Sequence, residues 1–201
     1  MIQRFQRSLL SAAGMAVALV LVAAGCGGGG GEARGDRPEG SAQQAGAEDF
    51  AADAKAATNR LQVALKKELS AAMQEGGPVA AIEVCHTRAP EIAREVGTQT
   101  ELDVARVSRN NRNPANAPSD VEASVLEAFE ARPAMQDTVF TRDGERTYMR
   151  AIRIGTALCL NCHGPESTLE PELKGRLDEL YPQDRATGFE VGDLRGAFVV
   201  R

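Results

Sequence analysis

The chain has 201 residues, with 23 Lys and Arg against 28 Asp and Glu, for a formal net charge of −5. An acidic balance of this kind argues against nucleic acid as a partner and against a basic grip on anionic lipid. There is no Trp, and there are only two Tyr and six Phe. Aromatic core material is therefore scarce, a deficit that a large planar cofactor or additional Leu, Ile and Val can fill.

The chain begins "MIQRFQRSLLSAAGMAVALVLVAAGC". Arg4 and Arg7 precede an apolar run from Leu9 to Ala24, and small residues lead into Cys26, the pattern of a secretory signal peptide over residues 1–25. An uncleaved membrane helix is the plainer alternative, since about 17 apolar or small residues lie at the lower limit for spanning. The ending Ala23, Ala24, Gly25, Cys26 resembles the lipobox of bacterial lipoproteins, with Ala23 where Leu is usual. That resemblance implies cleavage before Cys26 and a lipid on its sulfur, which places the chain on the exported side of a bacterial envelope. Losing Arg4 and Arg7 leaves 21 basic against 28 acidic residues, or −7. Residues 26–47, rich in Gly, Gln and acids, lack the apolar surface needed to fold and read as a flexible tether. Residues 48–201 suit one domain.

From Glu48 to about Gln74 the sequence is Ala-rich, with Leu61, Val63, Leu65 and Leu69 among charged residues, and predicts a long amphipathic helix ended by Gly76-Gly77-Pro78. Pro78 opens a second helix, where Val79, Ile82, Cys85, Ala89 and Ile92 recur at spacings of three and four, with Pro90 expected to kink or split it. A polar loop, "RVSRNNRNPANAPSDVE", follows. Ser119 and Glu122 form a capping-box pattern ahead of a helix from Asp120 to Ala131. Next, "TVFTRDGERTYMRAIRIG" alternates and is rich in β-formers, with Asp143-Gly144 as a hairpin turn. After the Cys cluster, Leu169 to Leu180 reads as a short helix interrupted at Gly175, and residues 196–200 as a closing strand. Helices first and strands later predict an α+β fold.

Residues 159–163 read Cys-Leu-Asn-Cys-His. Cys-x-x-Cys-His is the attachment signature of c-type haem: both thiols add to vinyl groups, and the imidazole becomes an axial iron ligand. Cys159 and Cys162 are therefore expected as thioethers and His163 as the proximal ligand of one covalent haem c. A thioredoxin-like redox pair needs a βαβ context that is not evident here, and a zinc site has only Cys85 and His86 as further ligands.

With Cys26, Cys159 and Cys162 accounted for, Cys85 has no disulfide partner. Beside it stands His86, on general grounds the more usual distal ligand, with Met73, Met135 and Met149 as further options. The segments "IEVCHTRAPEIA", "RVSRNNRNPANAP", "CLNCHG" and "YPQDRATGFEVGDLRGAFVV" together resemble a family of bacterial haem c domains, found alone or as the sensory part of membrane signalling proteins. The resemblance covers nearly all of residues 50–200. It implies a PAS-like fold, an antiparallel sheet flanked by helices, with Cys85 as the distal ligand opposite His163; His86, one position away, departs from the family pattern. Arg106, Arg109 and Arg112 are candidate partners of haem propionates, since Arg makes bidentate contacts with carboxylates.

Two functions fit: redox or gas sensing through a labile axial Cys85, which the PAS-like resemblance favours, and simple electron transfer by a His/His- or His/Cys-ligated cytochrome. Either needs a redox or signalling partner protein. An enzyme is not expected, because two protein ligands leave iron no open position.

Overall fold

The computed structural model describes residues 39–201. The expected signal peptide, Cys26 and most of the expected tether lie outside those residues. Among the described residues, no helix is long and apolar enough to cross a membrane.

Helix α1 spans Glu39–Thr100 and is interrupted at Gly76 and Gly77. A straight helix of 62 residues would be about 93 Å long. Ala54, Ala57 and Leu61 nevertheless share one buried cluster with Ile92 and Val96. The chain must therefore reverse at the glycines, and Gly77 supplies the positive φ of 65° that the reversal requires. The sequence placed this break correctly and two other features wrongly. The helix begins at Glu39, inside the stretch expected to be a tether; extending a formed helix is cheap, and Arg146 ties this end down by bonding the Gly46 carbonyl and lying 5.2 Å over the Phe50 ring. Nor does Pro90 break the helix. The carbonyl it deprives of a partner is that of His86, whose residue is exposed and open to water.

Strands β1 (Val104–Val107), β2 (Asp137–Arg142), β3 (Glu145–Arg153) and β4 (Leu194–Val200) form one antiparallel sheet in the order β1-β4-β3-β2. The expected hairpin joins β2 to β3, with Asp143 and Gly144 both at positive φ. β1 takes in Arg106 and Val107, the first two residues of what the sequence presented as a polar loop. The closing strand is central, not peripheral: it pairs with β1 on one side and β3 on the other. At Gly196 a β-carbon would lie 2.3 Å from the Val107 carbonyl oxygen, so only glycine lets the two strands approach.

Alternation along β3 and β4 divides the core into two layers. Tyr148, Phe198 and Val200 face α1, whereas Met149, Ala197 and Val199 face Leu126 and Phe129 of helix α2 (Asp120–Ala131). Helix α2 carries the expected capping box, with Ser119 and Glu122 bonded reciprocally. Two short helices complete the α+β fold: α3 (Ala157–His163) and α4 (Pro171–Leu180). Leu173 and Leu177 of α4 pack on Ile82 of α1. Gly175 does not interrupt α4; it faces open space while its neighbours carry the packing.

Candidate functional site

Strand β3 ends at Arg153, and α3 begins four residues later with the Cys-x-x-Cys-His sequence wound on it. One helical turn separates Cys159 from Cys162, so both thiols and the imidazole emerge from a single short scaffold. Cys159 packs beside Ile154, Ala186 and Phe189, and Cys162 beside Ile82 and Tyr181. The two cysteines thus pack against different clusters. Partial burial pushes the Cys159 thiol up, but the Thr156 hydroxyl, 3.7 Å away, and nearby backbone N–H groups outweigh it and hold the thiol below its ordinary range. Burial pushes the Cys162 thiol up, against the pull of Arg112.

His163 ends α3, and its Nδ1 lies 2.7 Å from the Ala186 carbonyl oxygen. A carbonyl only accepts, so Nδ1 carries the proton and Nε2 keeps a free lone pair. Burial pushes the imidazole pKa down to about 3, and Arg195 and Arg112 add to the shift. His163 is thus a neutral imidazole with Nε2 available, the form in which histidine binds metal. Phe189 meets its ring edge to face at 6.3 Å.

The other candidate ligands, Cys85 and His86, lie on the second arm of α1. Cys85 is open to solvent, yet its surroundings desolvate the thiol and push its pKa up, with Arg106, Arg112 and Arg195 pulling it down. His86 turns elsewhere. It is exposed, and its ring sits edge to face on Tyr181 at 5.2 Å. Of the methionines, Met149 is buried and Met135 packs against it in the layer under α2, across the sheet from α1. Met73 lies partly buried on the first arm of α1.

The guanidiniums of Arg106, Arg112 and Arg195 bear on both Cys85 and His163, and they are not the three that the sequence offered. Arg106 projects from β1, and burial pushes its pKa down. Arg112 is buried and fixed: it donates to Asp184 at 2.9 Å and to the Cys162 carbonyl at 2.6 Å. Arg109 points away and pairs with Glu127 and Glu130 of α2, so it is no part of the site. Its place is taken by Arg195 of β4, whose burial lowers its pKa to about 10 and whose Nε is buried without a partner. Among the described residues, Asp184 pairs with Arg112, and neither Arg106 nor Arg195 forms an ion pair. A buried excess of positive charge is costly unless an anion joins it. Among the described residues, no group of three or more His, Cys, Asp or Glu gathers in the manner of a zinc site.

A family model described as Tll0287-like matches residues 41–201. The chain belongs to the Tll0287-like family. A solved structure described as the cyanobacterial heme-protein Tll0287 is similar to it, at 32% sequence identity and a TM-score of 0.50, over 56% of this chain and 68% of the other. No curated protein matches the chain.

In this Tll0287-like chain the sequence missed four contributors to the site: Arg195, Tyr181, Asp184 and the Ala186 carbonyl. The segments "YPQDRATGFE" and "GDLRGA" contain all of them, but nothing in either shows that residues so far beyond the Cys cluster return to it.

Proposed function

We propose that this chain holds one haem c, attached through Cys159 and Cys162, with His163 and Cys85 as axial ligands, and serves in redox or gas sensing on the exported side of a bacterial envelope. The observation that carries the haem reading is the His163–Ala186 hydrogen bond, which leaves Nε2 free to bind a metal in a neighbourhood where the same three guanidiniums bear on His163 and Cys85. A haem supplies one-electron chemistry and two propionate carboxylates. Arg106 and Arg195 are the fitting partners for those carboxylates, since Arg112 already has Asp184. The antiparallel sheet with helices on both faces supports a PAS-like description, and membership of a family that includes a haem-protein supports the cofactor.

Sensing is favoured over simple electron transfer by the neighbourhood of Cys85. A thiolate favours the ferric state. Burial raises the thiol's proton affinity, so Cys85 would be the labile partner of a bound haem and would take up a proton when released. A shape change in the second arm of α1 is the expected output, read by a partner protein. With both axial positions occupied, the role is non-catalytic. Lipid on Cys26 after removal of residues 1–25 is the proposed anchor.

The covalent reading is tested by producing the chain with and without a c-type maturation system. Haem that survives acid-acetone extraction, and is lost in Cys159→Ala with Cys162→Ala, is expected. Haem extracted as readily from wild type as from the double variant contradicts it.

A further inference from the structure

Cys85 and His86 are neighbours on a helix, about 100° apart around its axis. Both carry strong ligands for iron, and imidazole is the commoner of the two in that position. Some feature of the fold must decide which one meets the cleft.

Tyr181 stands at that junction. It caps α4, donating its backbone N–H to the Leu177 carbonyl at 2.8 Å and accepting from Asp184 N–H at 2.9 Å. Its ring is buried with Ile82, Leu169, Leu173 and Leu177, and this packing fixes its position. One side of the residue meets the His86 ring edge to face at 5.2 Å, a geometry that aromatic pairs prefer. The same cluster takes in Cys162, which sets Tyr181 beside the Cys-x-x-Cys-His helix. Tyr181 therefore touches the imidazole and belongs to the packing around one of the two cysteines of the motif.

We infer that Tyr181 selects the distal ligand, holding His86 against its ring so that Cys85 is the side chain that meets the iron. The inference rests on the haem reading above. It makes Tyr181 a positioning residue, acting through ring contact, and it explains how a chain with an imidazole one position away keeps sulfur ligation.

The test is electron paramagnetic resonance and absorption of the ferric, haem-loaded full chain. Wild type and Tyr181→Phe, which keeps the ring, are expected to share a low-spin thiolate signature. In Tyr181→Leu, most of the ferric population is expected to lose that signature and show two-histidine ligation. Adding His86→Ala to Tyr181→Leu should restore the thiolate spectrum, a rescue that a merely loosened fold does not give. Thiolate ligation that persists in Tyr181→Leu overturns the inference, as does a switch to histidine in Tyr181→Phe. Absence of covalent haem, or of the thiolate signature in wild type, instead overturns the reading beneath it.

Discussion

His163 and Ala186 are joined by a 2.7 Å hydrogen bond between the imidazole Nδ1 and a backbone carbonyl 23 residues away. Arg112 and Asp184 hold that carbonyl in place: Asp184 accepts from the Ala186 N–H at 2.7 Å, and Arg112 bridges Asp184 to the Cys162 carbonyl. The loop after α4 and the end of α3 are thus fastened at His163. Arg112→Leu leaves a nearly buried carboxylate unpaired, and breaking such a pair typically costs about 3–5 kcal/mol. Urea unfolding should show a loss of that order, with Arg112→Lys losing less.

The protonation of His163 gives the haem-free chain a pH dependence of known sign. Its pKa is pushed from 6.5 to about 3 in the fold. Below about pH 6.5 the unfolded chain takes up a proton that the folded chain refuses. The group's contribution to stability is therefore complete above pH 6.5, and falls steadily as the pH drops toward 3. The slope is at most about 1.4 kcal/mol per pH unit. Urea midpoints at pH 7 and pH 5 should differ less in His163→Gln than in wild type.

The two thiols of the Cys-x-x-Cys pair are not equivalent before attachment. The surroundings hold Cys159 toward thiolate and Cys162 toward thiol. Thiolate is the reactive form. Iodoacetamide at pH 7, followed by peptide mass mapping of the reduced, haem-free chain, is expected to label Cys159 before Cys162. Equal labelling rates contradict the assignment.

Removing a cation from the cleft should make the metal harder to reduce. A unit charge about 10 Å away, at an effective dielectric constant of about 20, acts with about 1–2 kcal/mol. For one electron that corresponds to roughly 40–90 mV. Arg195→Gln and Arg106→Gln are each expected to lower the reduction potential by that order in a spectroelectrochemical titration. Arg109→Gln, with its side chain bound to α2, should leave it unchanged.

Much of this architecture was legible in the sequence where the cause is local. The Asp143-Gly144 turn, the Ser119–Glu122 cap and the Gly76-Gly77 break each depend on residues within a few positions, and each stands where those residues put it. Strand β1 was missed because its four residues acquire their β character from pairing with Val200 through Ala197, far along the chain. Gly175 and Pro90 failed as breakers because tertiary packing on Ile82, and exposure at His86, offset their cost. The Cys-x-x-Cys-His motif was visible at once. Arg195 was not, since only the folded sheet carries β4 back beside α3.

The central claim is axial ligation by Cys85, and ferric absorption and electron paramagnetic resonance spectra of haem-loaded wild type and Cys85→Ala test it most directly. A low-spin thiolate signature in wild type, abolished in Cys85→Ala, is the expected result. An unchanged two-histidine spectrum in both proteins would contradict it and make His86 the ligand.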